Sequence, residues 1–101
     1  MAFVKVCALS KIAPGSATQV EAGGREYVVC NAEGTVYALD GVCPHAGGPL
    51  GHGALHGHML VCPWHAWEFD CRTGANDFDD AIRVARHEVR VEGDDVLIDI
   101  P

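Results

Sequence analysis

Residues 43–65 read CPHAGGPLGHGALHGHMLVCPWH, and the two ends of this stretch carry the same chemistry. Cys43 and His45 lie at one end and Cys62 and His65 at the other, with 16 residues between the two pairs. Thiolates and imidazoles are common ligands of transition metals in proteins. The stretch therefore predicts a metal centre assembled from two loops.

The length and composition of the chain indicate one globular domain. It has 101 residues, of which 49% are apolar and 21% charged. These values are ordinary for a folded domain, and the length leaves no room for separate catalytic and cofactor domains. We expect residues 1–101 to form a single domain, with the metal-binding part at about 41–72.

The charge balance narrows the class of partner. Seven Lys and Arg residues against fourteen Asp and Glu residues leave a net charge of −7. Such a charge repels phosphate backbones, so it argues against nucleic acid and favours a basic protein surface as the partner. The five cysteines are an odd number, so metal binding explains some of them better than a disulfide framework does.

No targeting or membrane segment is expected. The first residues, MAFVKVCALSKIAPG, have too short an apolar run for a secretory signal. No later segment approaches the roughly 20 apolar residues of a membrane span. We therefore expect a cytoplasmic protein that does not enter the membrane.

Short runs rich in Val, Ile and aromatic residues recur between Gly, Asp and Asn turns, which predicts an all-β domain. No run shows a helical stripe. Segment 41–57, rich in Gly and containing Pro44 and Pro49, is predicted to be an irregular functional loop. The predicted strands are 3–9, 17–22, 25–31, 34–40, 58–62, 65–70, 82–92 and 96–100.

The arrangement of the ligands favours one kind of metal centre. Zinc sites with two Cys and two His usually place the two Cys together and the two His together, whereas here each end brings one of each. A two-iron cluster with Cys on one iron and His on the other uses all four side chains. A zinc-stabilised interaction module is the alternative from a different functional class.

The sequence contains two motifs, Cys43-x-His45 and Cys62-x-x-His65, which are followed by Trp67-x-Phe69-Asp70 and Gly74. With these motifs the chain resembles, over essentially its whole length, the Rieske-type ferredoxins and the Rieske domains of ring-hydroxylating dioxygenases. The resemblance implies an all-β Rieske fold, in which an antiparallel β-sandwich or barrel-like base carries a small cluster-binding subdomain formed by two loops. It also implies one [2Fe-2S] cluster per chain.

The resemblance also implies a role for each ligand. Cys43 and Cys62 would bind the inner iron, and His45 and His65 would bind the outer iron through Nδ1. In the family these two imidazoles lie at the tip of the protein. We expect Pro44, Pro49, Leu50 and Trp64 to surround them there and to form a small docking patch.

The chemistry of such a cluster predicts an electron carrier. With two His ligands the cluster is less negative than with four Cys, so an added electron meets less repulsion. Nothing else in the sequence supplies a flavin site, a nicotinamide site or an open mononuclear iron. We therefore expect no enzyme activity and no catalytic residue.

The resemblance places this carrier in a multicomponent oxidoreductase system. It implies a monomeric carrier that takes electrons from an NAD(P)H-dependent flavin reductase and delivers them to a terminal oxygenase. The alternative is the small subunit of an assimilatory nitrite reductase, acting with the large subunit. In either case the net charge of −7 is expected to speed association with a basic docking site.

Comparison within the family predicts a low reduction potential. High-potential Rieske proteins carry a disulfide at the positions of Gly48 and Trp64, which cannot form one. They also carry Ser and Tyr hydroxyls that bond to the cluster sulfurs, where this chain has Trp67 and Phe69. We therefore expect a potential of about −150 mV, the lower limit for Rieske centres.

Three positions depart from the family pattern. Ala66 follows the second ligand His, where Gly is usual, so the backbone there is expected to be tighter. Asp80-Ala81 stands in place of the Pro-Ala that often covers the cluster. Ala46 replaces the Arg of oxygenase domains, which favours a separate carrier.

The remaining His, Cys and aromatic residues are interpreted structurally. The three His between the motifs are expected in solvated loops, the three other Cys as packing groups, and the aromatic residues as a cover that excludes water from the cluster. These residues are His52, His56 and His58; Cys7, Cys30 and Cys71; and Trp64, Trp67 and Phe69.

Overall fold

The computed structural model describes residues 2–44, 47–64, 66–79 and 81–101. Its regular elements are strands and two short 3₁₀ turns, Leu9–Lys11 and Leu50–His52, so the predicted all-β class is confirmed. The strands are β1 (Ala2–Ala8), β2 (Ser16–Ala22), β3 (Arg25–Ala32), β4 (Thr35–Asp40), β5 (Ala54–His56), β6 (Met59–Val61), β7 (Glu68–Asp70), β8 (Arg86–His87), β9 (Val89–Glu92) and β10 (Asp95–Ile100).

These strands form three antiparallel sheets. One sheet has the order β1-β10-β9, the second β2-β3-β4-β8 and the third β5-β6-β7. The second sheet lies in the middle, because β3 packs against both of the others. Tyr27 and Val29 of β3 belong to the cores shared with the β1-β10-β9 sheet, whereas Val28 and Cys30 belong to the core shared with the β5-β6-β7 sheet.

The sequence of β3 explains its central position. A strand that is buried on both faces needs apolar side chains at consecutive positions rather than at alternate ones. Residues 27–30, YVVC, supply such a run, and all four are at most 1% exposed. These four consecutive apolar residues let β3 contribute side chains to a core on each of its faces.

The base of the molecule is formed by the first two sheets. Val96 and Ile98 of β10 are buried against the middle sheet, and Ile12, after the first 3₁₀ turn, closes one end of this core. The β5-β6-β7 sheet packs on the opposite face of the middle sheet. Its buried side chains, Leu60 and Phe69, share one core with Leu39 of β4.

The structure corrects two predictions of regular structure. Segment 41–57 is not wholly irregular, because β5 pairs with β6 through the Gly57-His58 turn. The single strand expected at 82–92 is two strands, β8 on the middle sheet and β9 on the β1-β10-β9 sheet, interrupted at Glu88. Alternation of side chains cannot reveal this change of sheet, since the chain remains extended through it.

Among the residues that the structure describes, no helix is long and apolar enough to cross a membrane.

Candidate metal centre

The first loop of the predicted centre leaves the middle sheet at the end of β4. The Cys43 N–H donates to the carbonyl of Gly48 at 2.8 Å, and the Gly47 N–H donates to the carbonyl of Cys43 at 2.8 Å. Gly47 has φ +75°, which a glycine adopts without strain. These two bonds close a tight turn that places the Cys43 side chain inward, where the residue is 1% exposed.

The second loop joins β6 to β7. The Cys62 N–H donates to the carbonyl of Trp67 at 2.7 Å, and Cys62 is 1% exposed. Burial raises the pKa of the Cys62 thiol, while the backbone N–H of Trp64, which donates to Sγ, acts in the opposite direction. An N–H aimed at sulfur stabilises the negative charge of a thiolate, which is the form that binds metal.

The two loops bring their cysteines together. The Cys43 side chain lies within hydrogen-bonding reach of Cys62, and the contact further raises the pKa of Cys62. The other two predicted ligands, His45 and His65, lie outside the described residues. Within the described ranges no group of three or more His, Cys, Asp or Glu side chains could hold a metal ion, so of the predicted ligands the structure describes only the thiol pair.

Gly48 allows the two loops to approach closely. A Cβ at this position would lie 3.0 Å from the Trp64 ring and 3.2 Å from Cys62 Sγ, so any side chain here would push the ring outward. The indole therefore rests on the backbone of the first loop, at the positions where a disulfide would join the loops of high-potential relatives. Trp64 remains 49% exposed and forms part of the surface over the thiol pair.

Gln19 of β2 holds the first loop from outside, and sequence reasoning missed it. Its Nε2 donates to the carbonyl of Gly41 at 2.9 Å, and its Oε1 accepts from the N–H of Gly51 at 2.7 Å. One amide thus joins the beginning and the end of the loop. A Cβ on Gly51 would lie 2.4 Å from the backbone nitrogen of Gln19, so the close approach of the loop to β2 requires glycine. A glutamine within a strand carries no sequence signal for such a role.

Asn76, also missed, organises the loop after β7. Its side chain is nearly buried, at 4% exposure. Its Oδ1 accepts from the N–H groups of Phe78 and Asp79 at 3.2 and 3.1 Å, and its Nδ2 donates to the carbonyl of Glu68 at 3.1 Å. This loop leads to Asp80-Ala81, which stands where the family often has Pro-Ala. Asp80 lies outside the described residues, and Ala81 is exposed.

The expected tightness at Ala66 is confirmed. This residue has φ +59°, in the left-handed region that glycine occupies freely and alanine does not. It is exposed, so the strain is local to the backbone of the second loop. Ala46, the other departure after a ligand His, lies outside the described residues.

The structural interpretations of the remaining residues are mostly confirmed. Cys30 and Cys71 are fully buried and Cys7 is half-buried. His52 and His56 are exposed, whereas His58 is half-buried and its ring lies 6.1 Å from that of Tyr37, so it is not simply solvated.

The residues expected to surround the cluster differ in their exposure. Leu50 was expected on the docking surface, and this is wrong: it is 0% exposed and packs in the core with both cysteines. Phe69 is also fully buried in that core, as expected of a group that excludes water. Pro44 is exposed and Pro49 half-buried.

The fold and the cysteine geometry agree with one protein family. A family model of the Rieske [2Fe-2S] domain matches residues 2–96. The chain belongs to this family. Membership implies one [2Fe-2S] cluster, as the two motifs predicted. The resemblance stated from the sequence is thereby confirmed.

Rieske proteins of known role cover nearly the whole chain. The ferredoxin component of biphenyl 2,3-dioxygenase from Rhodococcus jostii (strain RHA1) is 35% identical over 101 residues, which are 99% of this chain and 94% of that protein. The ferredoxin of carbazole 1,9a-dioxygenase from Nocardioides aromaticivorans IC177 is 32% identical, with a TM-score of 0.87 and 97% of each chain covered. A carbazole 1,9a-dioxygenase complex of reduced oxygenase and oxidised ferredoxin contains a chain that is 28% identical, with a TM-score of 0.86 and 95% and 91% coverage.

The Rieske fold is shared more widely than this role. A structure described as an NADH-dependent nitrite reductase small subunit from Mycobacterium tuberculosis superposes with a TM-score of 0.86 over 96% of this chain and 93% of that one. Its sequence is 21% identical, so the likeness extends to the fold alone.

Proposed function

We propose that this protein is the ferredoxin component of an oxygenase system. It would take single electrons from an NAD(P)H-dependent flavin reductase and deliver them to a terminal oxygenase, acting as a cytoplasmic monomer. The observation that carries the proposal is the meeting of two buried thiols at the ends of two loops, in a chain whose relatives include ferredoxin components of dioxygenase systems.

The donor set suits a [2Fe-2S] cluster. Cys43 and Cys62 would hold one iron, because their side chains are adjacent and buried and because the Trp64 N–H donates to Cys62. His45 and His65, which lie outside the described residues, would hold the other iron. When bound, the cluster supplies one-electron oxidation and reduction and changes no substrate bond.

The surrounding side chains would exclude water and leave one side accessible. Leu50, Leu60 and Phe69 are fully buried in the core that contains the two cysteines. A dry, apolar environment lowers the local dielectric and so influences the reduction potential. Pro44 and Trp64 cover the opposite side and are exposed, so a partner can approach the centre from there.

Docking at this surface is expected to be brief. A small contact area gives weak binding, which suits a carrier that must leave each partner after one electron. The net charge of −7 then attracts a partner with a basic docking site and raises the association rate, and dissolved salt weakens that attraction. We expect the second-order rate of electron transfer to fall steeply as ionic strength rises. A flat or rising rate would leave the charge as a solubility feature only.

The cofactor is tested by chemical analysis of the purified protein. We expect two irons and two acid-labile sulfides per chain and a reddish-brown colour. A colourless protein with one zinc and no sulfide would establish the zinc-stabilised interaction module instead.

Reconstitution tests the role. The holoprotein is mixed with the reductase and oxygenase components of biphenyl and carbazole dioxygenases, and separately with a nitrite reductase large subunit. We expect oxygenase turnover to require this protein. If this protein supports turnover only with the nitrite reductase large subunit, the proposal is contradicted. The control is Cys7→Ser, which changes a half-buried cysteine outside the two loops and should support turnover as the unaltered protein does.

A further inference from the structure

The turn at residues 76–79 presents the most exposed large apolar side chain of the described ranges. Phe78 is 62% exposed, compared with 49% for Trp64 and 45% for Val42. Its ring meets that of Trp67 edge to face, with centroids 4.9 Å apart and planes at 89°. Aromatic side chains are enriched in the contact areas of protein complexes.

The turn is held in this conformation by hydrogen bonds. Asn76 accepts from the N–H groups of Phe78 and Asp79, and Asp79 Oδ1 accepts from the N–H of Ala81 at 3.0 Å. The carbonyl of Asp79 accepts from Ile82 at 3.0 Å. The backbone at Phe78 is therefore held in a position that exposes the ring, and the contact with Trp67 restrains the ring itself. A restrained side chain loses less conformational entropy when a partner covers it.

Phe78 is connected to the thiol pair through Trp67. Its neighbour Trp67 accepts the Cys62 N–H at 2.7 Å through its carbonyl. The Asp77 N–H donates to the carbonyl of Glu68 at 3.1 Å, which joins the turn to β7 beside the second loop. A partner that touches Phe78 would thus also approach the loop that carries Cys62.

Scattered exposed apolar residues are normal on protein surfaces, but the distribution here is not even. Within the described ranges the large apolar side chains singled out by their exposure are Val42, Trp64, Phe78 and Val91. Val42 directly precedes Cys43 and Trp64 follows Cys62 by two residues. Val42 and Trp64 therefore belong to the two loops of the thiol pair, and Phe78 contacts Trp67 of the second loop. Only Val91 lies elsewhere, on β9.

The turn also carries negative charge. Asp77 and Asp79 flank Phe78, both are exposed, and neither forms an ion pair with another residue that the structure describes. Residues 77–83 read DFDDAIR, with three Asp and one Arg. An apolar ring between carboxylates is complementary to an apolar pocket with Lys or Arg at its rim.

We propose that residues 76–79 form a docking element for the terminal oxygenase. Phe78 enters an apolar pocket on the oxygenase, and Asp77 and Asp79 meet basic side chains at the edge of that pocket. The inference rests on the proposed function, because it requires an electron-accepting partner, and it names the surface chemistry of that partner.

The first test replaces Phe78. In Phe78→Ser we expect the second-order rate of electron transfer from the reduced holoprotein to the biphenyl or carbazole dioxygenase oxygenase to fall about tenfold or more, as for an interface hot spot. Phe78→Leu, which keeps an apolar side chain, should lose less. Val91→Ser, a change at the exposed apolar residue on β9, is the matched control and should transfer electrons as fast as the unaltered protein.

The second test replaces the charges. Asp77→Asn with Asp79→Asn keeps the Oδ1 acceptor that holds Ala81 and removes two negative charges. We expect a slower rate at low salt, by roughly threefold, and a flatter salt dependence. Glu33→Gln with Glu21→Gln removes the same charge from the β3–β4 turn and from an exposed position on β2, and this control should leave the salt dependence nearly unchanged.

The outcomes separate the two proposals. Iron content and reduction potential are measured for every variant, so that a lost cluster is not mistaken for a lost contact. If the unaltered protein supports turnover and Phe78→Ser does so equally well, the docking element is wrong and the proposed function stands. If Phe78→Ser slows only reduction by the reductase, the assignment to the oxygenase is wrong. If the unaltered holoprotein reduces no oxygenase, the proposed function fails and the docking element with it.

Discussion

Two pairs of buried cysteines lie in the same apolar core, and they differ in their surroundings. Cys43 and Cys62 are at loop ends beneath exposed residues, and the Trp64 N–H points at Cys62 Sγ. Cys30 is on β3, between strand neighbours, and contacts Cys71. Hydrogen bonding to Cys71 and burial both raise the pKa of Cys30, and neither favours a thiolate.

If Cys43 and Cys62 are the ligands, as we propose, and Cys30 and Cys71 are not, then burial and proximity of two thiols do not by themselves make a metal ligand pair. A ligand must be a thiolate, and a thiolate in an apolar core needs a donor aimed at its sulfur. Loops can supply such donors because their N–H groups are not used in a strand ladder. A cysteine in the centre of a sheet is surrounded by N–H groups that already have partners.

The largest expected effect follows from replacing one member of each pair. Cys43→Ser should lose most of its iron and sulfide, because a cluster ligand cannot be spared. Cys71→Ala should keep its cluster and lose about 1 kcal/mol of unfolding free energy, as for a small buried cavity. Iron, sulfide and visible absorbance check the first result and chemical denaturation the second. A colourless Cys71→Ala beside a coloured Cys43→Ser would reverse the assignment of the pairs.

The next effect concerns how the loop pair is held. Gln19→Leu removes both hydrogen bonds that join Gly41 and Gly51, and leaves a buried N–H without its acceptor. We expect a loss of about 1–3 kcal/mol in stability and faster loss of the cluster in dilute denaturant. Thr18→Val, on the other face of β2, is the control. Equal cluster lifetimes in the two variants would show that the first loop keeps its conformation without the hydrogen bonds of Gln19.

A smaller effect is expected in the reduction potential. Phe69 is fully buried in the core of both thiol pairs. In Phe69→Tyr, a hydroxyl that reaches a cluster sulfur should raise the reduction potential from about −150 mV by about 40 mV. This shift follows because a hydrogen bond contributes about 1 kcal/mol, and a tenfold change in equilibrium constant corresponds to about 59 mV for one electron. Phe3→Tyr, on β1, should leave it unchanged. Potentiometric titration decides, and a positive potential in the unaltered protein would contradict the account.

The smallest effect distinguishes strain in the loop from strain in the base. Ala66 in the second loop and Glu33 in the β3–β4 turn have φ values of +59° and +56°. Replacing either by glycine should relieve left-handed strain and stabilise the protein by about 0.5 kcal/mol, the strain being partly offset by the entropy of the unfolded chain. Only Ala66→Gly should also shift the potential. A shift with Glu33→Gly would mean that the base and the centre are coupled.

Much of the fold and part of the site could be predicted from the sequence. The paired Cys and His motifs specify their own chemistry through residue type and spacing, and the apolar runs specify strands through local periodicity. Each of these signals is contained within a few consecutive residues, which is why a single sequence carries them.

Contacts between distant residues were decided only by the tertiary structure. Gln19 reaches loop residues 22 and 32 positions away, so nothing near it in the chain marks it as a support of the centre. Leu50 faces the core instead of the surface, and the chain changes sheet at Glu88 without ceasing to be extended. Which cysteines meet is likewise a property of packed loops and sheets. Local sequence sets what a residue can do, and the assembly of sheets sets what it is next to.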